Sequence, residues 1–237
     1  MAVALIVAAG EGVRMGSHTR KQYLPLNGKP VLLHTLEVFD GCPAIQTIFL
    51  VMPPGDFGYC DETVLESGSI ETPVCMVPGG ATRQDSVYNG LTAIDKKDRR
   101  SLHDIVAIHD GVRPFVTGRQ IEACIDVACE SGACILGVPA SDTLKQVDTS
   151  GCITQTVKRD MVWQAQTPQA FRVDLIRNAY RQAKQTGRRA TDDASLLEDL
   201  GHPVRIVTGT RYNIKITLEE DLRMAEAICR FRMAEVD

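Results

Sequence analysis

Two cations stand at fixed offsets from a cluster of glycines near the N-terminus. In the stretch from Ala8 to Leu24, AAGEGVRMGSHTRKQYL, Gly10, Gly12 and Gly16 surround Arg14, and Lys21 follows just beyond. Glycine lets the backbone bend and approach a ligand where a side chain would collide. Backbone N–H groups backed by Arg and Lys make a site for a polyphosphate. The apolar run before it, AVALIV at residues 2–7, has the length of a buried strand that ends in a sharp turn. A plain strand-to-helix turn with solvated charges would use the same glycines. The preceding strand, the two placed cations and Gln22-Tyr23-Leu24 favour the phosphate reading. Two commoner phosphate loops are excluded. A P-loop needs GxxxxGK[ST], and no Lys-Ser or Lys-Thr stands at the required place. A dinucleotide GxGxxG fails at Met15, and Asp40, inside a helix end, is a poor match for a ribose-binding acid.

Other residues with chemistry lie further along. His109 to Phe115, HDGVRPF, follows a predicted strand at residues 105–108. A carboxylate at a strand's C-terminal end sits where open α/β sheets bind ligands. Asp110 and Arg113 there could steer a metal-bound phosphate and a polar substrate, or form a loop ion pair. In PGGATRQDSVYNGLTAI, Gly79-Gly80 makes a turn and Thr82 can cap a helix, leaving Arg83 and Ser86 at its N-terminus. This is either a capped helix alone or a second place where backbone approaches a ligand. Lys215 alternates with Ile214 and Ile216, so in a strand it points away from the core as a site lysine or as an edge guard. Thr191, followed by Asp192 and Asp193, suits a helix N-terminus, and Thr217 with Glu220 suits a capping box on the last helix. The five histidines are scattered, with no nucleophile–base pair among them.

These residues need a scaffold. Strand-like and helix-like segments alternate, the pattern of an α/β fold with a mainly parallel sheet. Helices are predicted over residues 30–39, 120–130 and 173–185, and strands over 45–52, 74–77, 134–140 and 204–207. From 141 to 164 the text changes to polar and β-branched alternation around a turn at Asp148 to Gly151, as in a hairpin. An isolated hairpin is marginal in water, so this insertion is expected to pack on a second subunit. Thr143, Lys145, Lys158 and Arg159 give it a basic tint suited to a neighbour's phosphate. With 237 residues the chain suits one large domain. A net charge of −4 argues against a nucleic-acid-coating surface, so anions must be held by local cation clusters. The N-terminal apolar run is too short for a signal peptide, and nothing has the length of a membrane span. The expectation is a cytoplasmic protein, or one in a plastid-like compartment after removal of a transit peptide. Eight cysteines without any CxxC spacing read as small hydrophobes in a reducing compartment rather than as metal ligands.

The pieces AAGEGVRMG, KQYLPL, GGATRQDSV, HDGVRPF, PASDTLK, TVKR, QTPQAF, TDDAS and NIKIT occur in order from residue 3 to about residue 225. Together they resemble the motifs of the 2-C-methyl-D-erythritol 4-phosphate cytidylyltransferases of the non-mevalonate isoprenoid pathway. The resemblance implies a Rossmann-like nucleotidyltransferase core over residues 1–237 and a protruding β-hairpin dimerisation arm at about 141–164. It also implies a homodimer with exchanged arms, CTP as co-substrate, and Mg²⁺ or another divalent cation. Carried over by motif, Ala8, Ala9, Gly10, Gly80 and Ser86 would bind the cytidine nucleotide. Arg14 and Lys21 would hold the triphosphate through the transition state. Asp110, Arg113, Thr167 and Thr191 would face methylerythritol phosphate, with Thr143 from the partner's arm. Lys215 and the partner's Arg159 would fix the attacking phosphate. Asp110 is also the one candidate metal ligand, the metal being held mainly by the CTP phosphates. Arg20 stands where the family more often has Pro, and Ala81 where some members carry an acid. Ribitol-5-phosphate cytidylyltransferases share several of these motifs, and a catalytically silent relative on the same fold is the competing reading from another class.

Overall fold

The computed structural model describes residues 2–10, 20–97 and 105–234. In chain order the elements are β1 (Ala2–Val7), β2 (Pro25–Leu26), β3 (Lys29–Pro30), α1 (Val31–Asp40), β4 (Ile45–Met52) and α2 (Phe57–Cys60). Then come β5 (Val74–Pro78), α3 (Arg83–Lys97), β6 (Ile105–Asp110), α4 (Gly118–Ser131), β7 (Ala133–Pro139), β8 (Lys145–Val147) and β9 (Ile153–Thr156). The chain continues through β10 (Trp163–Arg172), α5 (Val173–Thr186), α6 (Ala194–Glu198), β11 (Arg205–Thr208) and α7 (Glu219–Ala234).

Side chains of β1 divide between two apolar layers, which is why its sequence is apolar throughout. Ala4, Ile6 and Ala8 meet Leu32, Leu36 and Phe39 of α1 and Ile121 and Cys124 of α4. Leu5 turns the other way, to Val87 and Leu91 of α3 in the layer that also holds Ile176 and Tyr180 of α5. The sheet between these layers has seven strands in the order β11-β7-β10-β6-β1-β4-β5. All neighbours run parallel except β10, which is antiparallel to both β6 and β7. The α/β class and the mainly parallel sheet expected from the sequence are therefore present.

Strand β10 is the main departure. Gln166, Thr167, Pro168 and Gln169 carry no strand signal in the sequence, because buried central strands are normally apolar and free of Pro. Here the pairing with β7 shifts register between Gln166 and Gln169, leaving Thr167 and Pro168 as a bulge. That is the position a sheet tolerates for Pro. The buried polar side chains are satisfied individually: Gln166 Nε2 donates to the Thr210 carbonyl at 2.9 Å, and Gln169 Oε1 accepts from the amides of Asp193 and Ala194.

Four local expectations are corrected. Residues 211–217 form no strand; hydrogen bonds from Ile216 N to Val112 O at 2.9 Å, from Arg113 Nη1 to Asn213 O at 2.8 Å and from Asn213 Nδ2 to Thr167 O at 2.9 Å tie this segment beside the sheet. Thr191 does not cap α6, since Asp192 Oδ1 accepts from the Ser195 amide and Asp193 occupies the N-cap position. At α7 the acid that accepts from Thr217 N, Thr217 Oγ1 and Leu218 N is Asp221, not Glu220. Strand β6 runs two residues further than expected, through His109 and Asp110. Two readable signals were missed: the Asn27-Gly28 turn between β2 and β3, both residues at positive φ, and the Thr117–Gln120 capping box of α4. The hairpin within residues 141–164 is present as β8 and β9, exposed along its whole length.

Candidate active site

Two cavities open at the C-terminal edge of the sheet and share a wall. The first, about 440 Å³, is lined by Ala8, Ala9 and Gly10 after β1, by Lys21 and Gln22, and by Gly80, Ala81, Thr82, Arg83 and Ser86 around the start of α3. Its shape comes from backbone. The Ala8 amide donates to Val51 O at 2.7 Å and the Ala8 carbonyl accepts from buried Gln22 Nε2 at 2.9 Å, which clamps the loop against the segment carrying Lys21. The side chain of Lys21 passes near Gly10, whose Cβ, were there one, would lie 3.8 Å from Lys21 Cε. A Cβ on Gly79 would come within 2.4 Å of Ala9 Cβ, and one on Gly80 within 2.9 Å of the Asp85 carbonyl carbon. Only glycine allows the two loops and the helix start to close this far. Thr82 caps α3 by accepting from the Asp85 amide at 3.0 Å and donating to Asp85 Oδ2. Ser86 is buried, its Oγ accepting from the Gly80 amide at 3.0 Å and donating to Thr82 O at 2.9 Å. Its hydroxyl thus holds the loop that forms the cavity.

The second cavity, about 630 Å³, is built from side chains drawn from separate places in the chain. Arg113, Thr167, Gln169, Thr191, Asp192 and Lys215 line it, with Met161 and Trp163 at the base of the hairpin. Thr167 forms part of a buried chain. Asp110 N donates to Thr167 Oγ1 at 3.2 Å, and Thr167 Oγ1 lies 3.0 Å from His109 Nδ1. His109 Nε2 lies 3.1 Å from the Arg113 carbonyl, which can only accept, so Nε2 carries the hydrogen and Nδ1 accepts from Thr167. Burial pushes the His109 pKa down to about 4, and the ring is neutral near pH 7.

Arg83, Asp110 and Lys215 line both cavities. Asp110 Oδ1 accepts from Arg83 Nε at 3.0 Å, while Oδ2 meets Lys215 Nζ at 2.8 Å and Arg113 Nε at 3.4 Å. Burial would raise the Asp110 pKa, but Arg83, Lys215 and Arg113 outweigh it and hold the carboxyl well below the usual range. Three cations around one carboxylate leave the wall net positive, suited to phosphate groups arriving from either side. Arg83 also spans to Asp193, with Nη1 and Nη2 donating to Oδ1 and Oδ2 at 3.0 and 2.8 Å.

The sequence-derived residues divide accordingly. Ala8, Ala9, Gly10, Lys21, Gly80 and Ser86 gather at the first cavity, and Arg113, Thr167 and Thr191 at the second. Asp110 and Lys215 stand between them, Lys215 reaching the wall from an irregular segment rather than a strand. Arg14 lies outside the described residues. Thr143 and Arg159 are exposed in the hairpin segment and line neither cavity of their own chain; the Arg159 guanidinium donates to the Ser141 carbonyl. Arg20, a candidate to share the role of Lys21, is instead paired with Asp56 at 3.0 Å. Ala81 lines the first cavity without a polar group. Sequence reasoning noted Arg83 only as a neighbour of the helix cap and missed Gln169 and Asp193. The paired acids of TDDAS were the one available signal for Asp193, and a helix N-terminus accounted for them equally well.

Asp110 is a poor metal ligand in this arrangement, since both oxygens already accept from cations. Among the described residues no group of three or more His, Cys, Asp or Glu side chains converges on a common point. No described helix is long and apolar enough to cross a membrane.

The family model for 2-C-methyl-D-erythritol 4-phosphate cytidylyltransferase matches residues 2–231. A protein of that name from Pelotomaculum thermopropionicum is 46% identical over 233 residues, covering 98% of this chain and 96% of the relative. One from Syntrophotalea carbinolica is 48% identical over 223 residues, covering 94% of each. Among solved structures, a 4-diphosphocytidyl-2C-methyl-D-erythritol synthase from Anaerococcus prevotii superposes with a TM-score of 0.85 at 32% identity, over 97% of this chain and 96% of that one. The cytidylyltransferase from Thermus thermophilus gives 0.76 at 32% identity, over 97% and 100%. By sequence along nearly its whole length and by fold, the chain belongs to the 2-C-methyl-D-erythritol 4-phosphate cytidylyltransferase family.

Proposed function

We propose that the chain transfers CMP from CTP to 2-C-methyl-D-erythritol 4-phosphate, giving CDP-methylerythritol and pyrophosphate. The observation that carries this reading is the pair of cavities meeting at one cationic wall. A cavity of backbone amides, small residues and Lys21 suits a nucleoside triphosphate. A larger one with Arg113, Thr167 and Thr191 suits a polyol phosphate. Where they join, an attacking phosphate can reach the α-phosphorus with Arg83 and Lys215 alongside.

The attacking group is a phosphate monoester, already ionised at pH 7, so the reaction needs no general base. This agrees with His109, which among the described residues is the histidine next to the wall and is buried and committed to structural hydrogen bonds. The barrier comes from bringing one anion onto the phosphorus of another, and it is lowered by positioning and charge neutralisation. Lys21, with Arg14, takes the role of holding the triphosphate as charge moves onto pyrophosphate. Lys215 orients the incoming phosphate in line. To do so it exchanges its contact with Asp110 for one with substrate, while Asp110 keeps Arg83 and Arg113 in place. Ala8, Ala9, Gly10, Gly80 and Ser86 bind the nucleotide, and Arg113, Thr167 and Thr191 bind the polyol end.

Thr143 and Arg159 act on the neighbour's substrate in a homodimer with exchanged arms. Two features support this: they line neither of the two cavities described for their own chain, and the hairpin segment exposes Val147, Ile153 and Met161 to a degree unusual for apolar residues. A divalent cation such as Mg²⁺ would be held mainly by the CTP phosphates and would offset their charge, while Asp110, already accepting from three cations, would add little to its hold. The setting is cytoplasmic. The test is pyrophosphate release from CTP with a divalent cation, supplying methylerythritol 4-phosphate or ribitol 5-phosphate in parallel. Release with the first is the expected result. Release with ribitol 5-phosphate alone would overturn the acceptor assignment, and silence with both from folded protein would favour a silent relative.

A further inference from the structure

Resting on that reading, we propose that Asp193 is a positioning residue for the transfer, acting through Arg83, with Tyr180 completing its hold. Asp193 is fully buried behind the wall, out of reach of either cavity. Its carboxylate accepts both terminal nitrogens of Arg83 and the Tyr180 hydroxyl. Arg83 Nε meanwhile donates to Asp110 Oδ1. Two carboxylates therefore grip one guanidinium from opposite sides, using three of its five N–H donors. The remaining two belong to a side chain that is still 30% exposed and lines both cavities.

A buried ion pair is a weak way to stabilise a fold, since apolar replacements of similar volume are often as stable or more so. What this pair does achieve is to freeze a long, flexible cation at the point where the phosphates of two substrates meet. A donor fixed before the charge develops costs no reorganisation during the reaction. There is also somewhere for Arg83 to go without it. A further cavity of about 340 Å³ is lined by Arg83 itself with Tyr88, Tyr180 and Lys184. Asp193 and Tyr180 stand where they oppose that swing.

The test is a double-mutant cycle on kcat/KM with Asp193→Asn, Arg83→Ala and the pair, with thermal melting of each protein. Asp193→Asn is expected to lower kcat/KM by about 10–100-fold, the scale of a charged hydrogen bond. In the Arg83→Ala background the same change should add no more than about twofold, because its target is already gone. Losses that multiply, or a folded Asp193→Asn protein within about twofold of wild type, would overturn the proposal. Should Asp193→Asn fail to fold, Tyr180→Phe serves in the same cycle, with an expected loss of about 2–10-fold that vanishes with Arg83→Ala. Calorimetric binding of CTP to the same proteins repeats the cycle without turnover. A wild-type protein that binds CTP but transfers nothing would therefore overturn the functional reading while the binding cycle still decides the coupling of Asp193 to Arg83.

Discussion

The two cavities are made differently. The first takes its wall from two short contiguous stretches, Ala8–Gly10 and Gly80–Ser86, and its character from missing side chains and from backbone clamped by Gln22 and Ser86. The second takes single side chains from β6, β10, the α6 start and the segment before α7, and its character from their charges and hydrogen bonds. A site built of backbone tolerates almost no added atoms, whereas a site built of side chains fails when one polar partner is withdrawn. The first arrangement suits a ligand gripped along its phosphates. The second suits a ligand recognised by shape and hydroxyl pattern.

The largest effect should come from Lys21→Ala, which removes the cation that belongs to the first cavity alone, Arg83 and Lys215 being shared with the second. Turnover is expected to fall by about 10²–10³-fold, as for other lost transition-state donors, with the melting temperature nearly unchanged. Turnover close to wild type would mean the loop does not hold the triphosphate. Next is Gly80→Ala, where the new methyl meets the Asp85 backbone at 2.9 Å. Overpacking of this kind costs about 1–3 kcal/mol, and CTP affinity should drop about tenfold or more while acceptor KM moves little. An unaltered CTP affinity would show that the Gly80 turn is not part of the nucleotide grip.

Thr167→Val examines the other construction. It leaves the His109 Nδ1 acceptor and the Asp110 amide without a partner, at a cost of about 1–3 kcal/mol. Acceptor KM should rise while CTP affinity holds; the opposite split would reverse the assignment of the cavities. His109 also gives the second cavity a pH signature. Its folded pKa, about 4, lies below the unfolded value of 6.5, so the unfolded chain takes up the proton first. The stability it contributes is fully present above pH 6.5 and drains away as pH falls toward 4, by up to about 3 kcal/mol. Asp110, whose pKa is also depressed, loses its contribution only below the unfolded value of 3.8. Urea midpoints between pH 7 and 5 should therefore fall in the wild type and flatten in His109→Gln; equal slopes would remove His109 as the cause. The smallest effect is expected from Arg20→Ala. The Arg20–Asp56 pair is partly exposed and worth about 0–1 kcal/mol, so kcat/KM should stay within about twofold of wild type. A loss matching that of Lys21→Ala would put Arg20 on the triphosphate after all.

The difference between the cavities is also the difference in how well they could be read. The first was visible because its residues fall in two short stretches, glycines with a lysine near the N-terminus and a glycine turn with a cap at residues 79–86, where turn geometry and capping act locally. The apolar run of β1 announced a strand covered on both faces, and the alternation of strand and helix patterns announced the layered α/β class. Those features follow from neighbours in the chain, and the sequence by itself determined them. The second cavity was only partly visible. Strand β10 carries no strand pattern because Gln166, Thr167, Pro168 and Gln169 break the apolar run, and the polar side chains become acceptable only through partners on β6, α6 and the segment after β11. Arg83 meets Asp110 across 27 residues and Asp193 across 110. No spacing rule relates positions so far apart, because a charge pair depends on where two chain segments are brought together. Tertiary structure alone decided that Lys215 and Arg83 would join the local Arg113 on Asp110, that Asp56 would take Arg20 from the site, and that Asp193, at the N-cap position of α6, would anchor Arg83 with its carboxylate. The physical reason is that desolvation makes a buried charge choose its partner, and the fold determines which partners are within reach.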